Sequence, residues 1–293
     1  MINATNWIKL LVVCLIPLFA MDLWAQPTAR MGVSPQRYEI DFDQGGSDTQ
    51  ALLIHNMSNE PLTIRLSAGN WDLDQNNQVV MIPPAEKTLD QWLVINPLRV
   101  TIPPNSPQTI RWAVMPRAIP EEGEYRTMIF IEEDLPGRSA GDQPAMRMKM
   151  RFGLPVYAQV GERRQSAQLH QIAATDDGRQ VQFEITNTGN SHLRLAGNYG
   201  IWPTRDFPGN ENALDALRAL DSRDKEQSEF AVGALPPTVL LPGSRRTIAF
   251  TPDADTDGPF TVQLDGSFAQ LQLTESIAMK TPVDSTGMAI AAN

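Results

Sequence analysis

The chain has 293 residues, with 24 Lys and Arg against 34 Asp and Glu, a formal charge of −10, and one cysteine. An acidic balance of this kind excludes a non-specific grip on nucleic acid or on an anionic membrane, because both require clustered cations. A single cysteine excludes an internal disulfide framework.

At the start, Lys9 precedes an apolar run from Leu10 to Met21, with the small residue Ala25 before Gln26. This pattern predicts a secretory signal peptide over residues 1–25, cleaved on export. The run is shorter than the roughly twenty residues of a membrane span. Cys14 lies inside it and follows Val13, where a lipoprotein signal needs a small residue, so no lipid anchor and no mature thiol are expected. The exported chain must then fold on hydrophobic burial alone.

From there, short β-rich runs alternate with clusters of Pro, Gly, Asn and Asp, the pattern of an all-β sandwich rather than of alternating strands and helices. Predicted strands cover Thr49 to His55, Leu62 to Ala68, Trp92 to Ile95, Thr109 to Met115 and Thr127 to Glu132. They continue over Gln180 to Thr186, Leu193 to Leu195, Thr247 to Phe250, Phe260 to Leu264 and Phe268 to Leu273. One segment departs from this pattern. Asn212 suits a helix cap, Asp215 follows three residues on, and Leu214, Leu217 and Leu220 have helical spacing, which predicts a short helical insertion over Asn212 to Asp221.

The chain also repeats itself. Ile54, Asn56, Asn59, Leu62 and Trp71 match Ile185, Asn187, Asn190, Leu193 and Trp202 at one constant offset, and Pro104, Ser106, Thr109 and Ile110 match Pro242, Ser244, Thr247 and Ile248. Each half reads as a strand, an Asn-rich turn, a second strand ending near a Trp, and later a Pro-containing turn. In both halves the Trp suits an inter-sheet core. The fold class expected is two immunoglobulin-like β-sandwich domains, over residues 26–160 and 161–280, with the helical insertion in the second and a polar tail at 281–293.

Between Ala145 and Val160 the alternation is strict. Met146, Met148, Met150, Phe152, Leu154 and Val156 fall on one face of a strand, with Arg147, Lys149 and Arg151 on the other. Methionines are unusual in such a row, where β-branched residues prevail, and their flexibility suits a surface that accepts a partner. The other reading is that the row packs into the chain's own core, since alternation reports burial and not what does the burying.

Little points to catalysis, to a metal or to a cofactor. His55, His170 and His192 stand apart, without metal-ligand spacing. No Gly-x-Ser-x-Gly elbow is present. Asp253, Asp255, Asp257 and Gly258 imitate the opening of a calcium loop, yet Leu264 occupies the position of its bidentate glutamate. An acidic surface turn is the better reading, and Asp72, Asp74 and Asn76 form a weaker version of it.

An ordered set of short motifs resembles the PapD-like periplasmic pilus-assembly chaperones. They are Val33-Ser34-Pro35, the turn Asn56 to Pro61, Asn96-Pro97, Ile102-Pro103-Pro104, Gln108-Thr109-Ile110-Arg111, Gly123-Glu124-Tyr125-Arg126 and Glu133-Asp134-Leu135-Pro136. The resemblance implies a non-enzymatic chaperone that caps pilus or fimbrial subunits by lending them a strand and delivers them to an outer-membrane usher. By the same analogy the lent strand is Ala145 to Leu154, with Met146, Met148, Met150 and Phe152 entering the subunit. The family also grips the subunit's terminal carboxylate with two basic residues, and here Glu39 and Gly153 stand at those positions. Arg37 and Arg151 lie two residues earlier, on the same strand faces, and are either displaced anchors or ordinary surface arginines. A structural or adhesive two-sandwich component of a surface appendage is the alternative.

Overall fold

The structure, a computed structural model, describes residues 30–43, 46–47, 49–135, 149–220, 230–253 and 258–280. The predicted leader, Met146 and Met148, most of the Asp253 loop and the polar tail lie outside these residues.

The first sandwich runs through β1 (Met31–Ser34), β2 (Tyr38–Phe42), β3 (Gln50–Asn56), β4 (Leu62–Gly69), the hairpin β5 (Trp71–Leu73) and β6 (Val79–Met81), and the helical turn α1 (Leu89–Trp92). It continues through β7 (Leu93–Asn96), β8 (Arg99–Ile102), β9 (Pro107–Val114), β10 (Gly123–Glu133) and β11 (Arg151–Val160). One sheet has the order β1-β3-β9-β7 and the other β2-β11-β10-β4-β8. Alternation along each strand sends every second side chain inward. Leu52, Ile54, Ile110 and Trp112 thus meet Ile64, Ile129, Ile131 and Val156 in one core.

The second sandwich holds β12 (Ala167–Ala174), β13 (Val181–Asn187), β14 (Leu193–Pro203), α2 (Asn210–Ala219), β15 (Ala231–Ala234), β16 (Val239–Leu240) and β17 (Arg245–Phe250). It ends with β18 (Phe260–Phe268), β19 (Leu271–Leu273) and β20 (Ser276–Met279). The sheet β12-β13-β17 faces β15-β14-β18-β19, with β16 added to β14 and β20 to β18. Phe183, Ile185, Val262 and Phe268 lie in its separate core.

The internal repeat has a physical content. Asn56 is fully buried, and its Nδ2 donates to the carbonyls of Glu60, Ile102 and Pro103 at 2.7, 3.1 and 3.0 Å, while its Oδ1 accepts from Ser58 N at 3.0 Å. Asn187 does the same in the second sandwich, donating to Ser191 O and Leu240 O at 2.9 Å each and accepting from Gly189 N at 2.9 Å. The backbone N–H groups of Asn56 and Asn187 donate to Ser106 O and Ser244 O, another repeated pair. Each Asn thus satisfies turn carbonyls that would otherwise be buried unpaired.

Four expectations are corrected. The repeated tryptophans do not fill the inter-sheet cores. Leu193, Leu195, Tyr199 and Ile201 point inward, so alternation puts Trp202 on the outer face of β14, stacked on Phe230 at 4.1 Å. Trp71 opens a hairpin outside both main sheets and packs with Met128, Tyr157 and Leu241, where the sandwiches meet; Trp112 and Trp92 occupy the first core instead. The helix α2 begins two residues before the predicted cap, after Gly209, and Asn212 donates its side chain to Pro208 O at 3.1 Å. Trp92 closes a helical turn rather than opening a strand. Finally, Phe260 to Phe268 is one strand, paired with β14 along its whole length through Gly266 opposite Gly197, and the reversal comes at Ala269 with φ 51°.

Candidate functional site

Strand β11 has two unequal halves. Along its whole length it pairs antiparallel with β10, from Arg151 opposite Glu132 to Val160 opposite Gly123. On its other side β2 runs parallel to it only from Val156 to Val160. Among the described residues, Arg151 to Pro155 therefore present one paired edge and one unpaired edge. Pro155 sits at the junction and has no N–H to offer a further strand, a residue that sheets tolerate at such edges.

The apolar row changes character along this strand. Val156 and Leu154 are sealed in the domain's own core, at 0% and 2% exposure. Phe152 packs against that core while half-buried, and Met150, also half-buried, lies just before the strand, its carbonyl accepting from Glu133 N at 3.0 Å. On the opposite face, Lys149 Nζ and Arg151 Nε reach Glu132 at 3.1 and 2.9 Å, and the Arg151 guanidinium lies 3.8 Å over the Phe130 ring.

Arg37 is held by a different acid, with its Nε 2.9 Å from Glu39 Oε1. Arg37 and Arg151 share no ion-pair partner, and the side chain of each is more than half exposed. Exposed pairs of this kind are worth about 0–1 kcal/mol, so either cation can exchange its partner at little cost.

A cluster that sequence reading did not assemble joins the two sandwiches. Glu124 of β10 is buried, and its Oε2 accepts from Ser191 Oγ at 3.1 Å and from His192 N at 2.8 Å, and meets His192 Nδ1 at 2.5 Å. The His192 ring stacks on Tyr157 of β11 at 3.9 Å, and its Nε2 lies 3.5 Å from Glu39 Oε1 of β2. Arg194 of β14 approaches that same Glu39 oxygen at 3.5 Å. Burial pulls the Glu39 carboxyl upward, but His192, Arg194 and Arg37 together hold it below the usual glutamate value. Burial drives the Tyr157 phenol up, with Arg194 opposing. Arg246 adds a link by donating from Nη2 to Leu73 O at 2.8 Å. These residues lie far apart in the chain.

The fold and this site define a two-domain immunoglobulin-like β-sandwich protein whose first domain ends in a strand with a partly unpaired edge. No family model and no curated protein matches the chain. Among solved structures, it is similar to a class 5 fimbriae chaperone, with 13% identity over 86% of this chain and 99% of that one and a TM-score of 0.44. It is likewise similar to the chaperone–tip adhesion subunit pre-assembly complex of archaic chaperone-usher Csu pili of Acinetobacter baumannii, with 14% identity over 85% and 98% and a TM-score of 0.44. The chaperone DraB of E. coli gives 10% identity over 85% and 98% and a TM-score of 0.40.

Proposed function

We propose that this chain is a non-catalytic periplasmic chaperone that caps pilus or fimbrial subunits by donating a strand and passes them to an outer-membrane usher. The observation that carries the proposal is the edge of β11 beside Arg151 to Pro155, unpaired among the described residues where the apolar row emerges from the core. An unpaired edge recruits another chain's strand, and here it offers main-chain groups and a line of apolar side chains together. Met150 and Phe152 begin that line, and in the sequence Met148 and Met146 continue the same alternation. Burying one such side chain fully contributes about 1.5–3 kcal/mol, so two or three give tight but exchangeable capture. Arg37 and Arg151 are the cations proposed to receive a subunit's terminal carboxylate, by giving up Glu39 and Glu132. The reading involves no cofactor.

The test is co-expression with candidate subunits, comparing the parent with Met146→Asp, Met148→Asp and Phe152→Asp. Subunit recovery should fall in all three, while unchanged recovery would show that this edge is not the donor. Replacing Arg37 and Arg151 by Ala should weaken capture without abolishing it. If the purified chain instead polymerises, it is a component of the appendage and not its chaperone.

A further inference from the structure

Just before β14, the His192 side chain is only 3% exposed, and each of its ring nitrogens faces a carboxylate of the first sandwich. Nδ1 lies 2.5 Å from Glu124 Oε2 on β10, and Nε2 lies 3.5 Å from Glu39 Oε1 on β2. The other titratable groups around the ring are Tyr157 of β11, stacked on it, and Arg194 of β14, which pairs with Glu39. The exposed Arg37 also holds Glu39, at 2.9 Å, and Gln165, from the segment between the sandwiches, donates to the His192 carbonyl at 3.3 Å.

The charge balance of this junction depends on one proton. Glu39 has two arginines, but among the described residues no Lys or Arg pairs with Glu124, whose side chain is 1% exposed. A carboxylate buried to that degree needs a cation, and His192 is the group in place to be one. A neutral imidazole has a single N–H and would turn a lone pair toward one of its two carboxylates, whereas the imidazolium donates to both.

We infer that His192 is a proton-operated latch between the sandwiches, closed while its ring carries both protons and loosened when one is lost. Docking brings two carboxylates to the ring and so favours its protonated form. By linkage the junction is firmest at mildly acidic pH and weakens as pH rises through the range in which the ring gives up that proton. Because the ring stacks on Tyr157, the proton sets how firmly the second sandwich is held against β11. The latch holds or fails independently of strand donation.

The experiment uses the intact two-domain protein. Ring carbon and nitrogen resonances of the three histidines are followed from about pH 5.5 upward until each ring has lost its proton, while NMR relaxation reports whether the sandwiches tumble together. The exposed His55 and His170 serve as internal references. At about pH 7.5, a unit above the ordinary histidine value, His192 should have both ring nitrogens protonated while the references are neutral. Joint tumbling should give way to independent tumbling as His192 loses its proton. His192→Gln, which keeps a donor for Glu124, should tumble in the same way across this span. Glu39→Gln, which lies outside both cores, removes one of the two carboxylates and should move the loosening to lower pH. A His192 ring singly protonated at about pH 7.5, joint tumbling that survives loss of its proton, the same pH response in parent and His192→Gln, or an unmoved response in Glu39→Gln would each overturn the inference.

Discussion

At the scale of single residues, stability rests on a few buried polar groups whose removal strands others. Replacing Asn56 or Asn187 by Ala leaves turn carbonyls buried and unpaired, each costing about 1–3 kcal/mol. Thermal unfolding should therefore show a large drop for either variant, and a drop within error would refute the assignment. Glu124 is a sharper case. Leaving a buried donor without its acceptor costs about 1–3 kcal/mol each, so Glu124→Ala should damage the domain contact far more than Glu124→Gln, which keeps an acceptor for Ser191 and His192 N. Glu39 adds a pH dependence. Its folded-state value is lowered, so its contribution is present at neutral pH and is lost as pH falls through and below the ordinary glutamate range. In urea titrations the gap between parent and Glu39→Gln should narrow toward acid pH; a gap that widened would reverse the sign argued here.

At the scale of elements, β11 is the strand on which folding and recognition meet. Among the described residues its C-terminal half lies between two neighbours and its N-terminal half has one. Amide hydrogens of Val156 to Val160 should accordingly exchange more slowly than those of Arg151 to Leu154, and equal protection would mean that the open edge is covered. Leu154→Ala removes a sealed core residue and should cost about 2–5 kcal/mol. Phe152→Ala, at a half-buried position, should cost less stability yet weaken subunit capture. The same strand thus separates a folding phenotype from a binding one within three residues.

At the scale of the whole molecule, two separate cores are joined by a small apolar contact around Trp71, Met128, Tyr157 and Leu241 and by the Glu124–His192 cluster. Cavities in one core should be felt there first. Phe183→Ala or Phe268→Ala should lower the protection of second-domain amides while leaving those of Ile54 and Ile129 unchanged; loss of protection in both domains at once would make the two cores a single cooperative unit.

Much of the local architecture is legible from periodicity alone. Alternation identifies strands and the face each one buries, because side-chain direction in an extended chain repeats every two residues, and the repeated Asn56 and Asn187 announce two copies of one turn. The same periodicity cannot say what lies against a buried face or beside a strand edge. It merges the core residues Leu154 and Val156 with the emerging Phe152 and Met150 into one row. Nor can it bring Glu39, Glu124, Tyr157, His192 and Arg194 together. Those meetings depend on how β2 runs beside only half of β11 and on how one sandwich docks on the other. Contacts between segments distant in the chain are set by packing, of which local sequence carries no record.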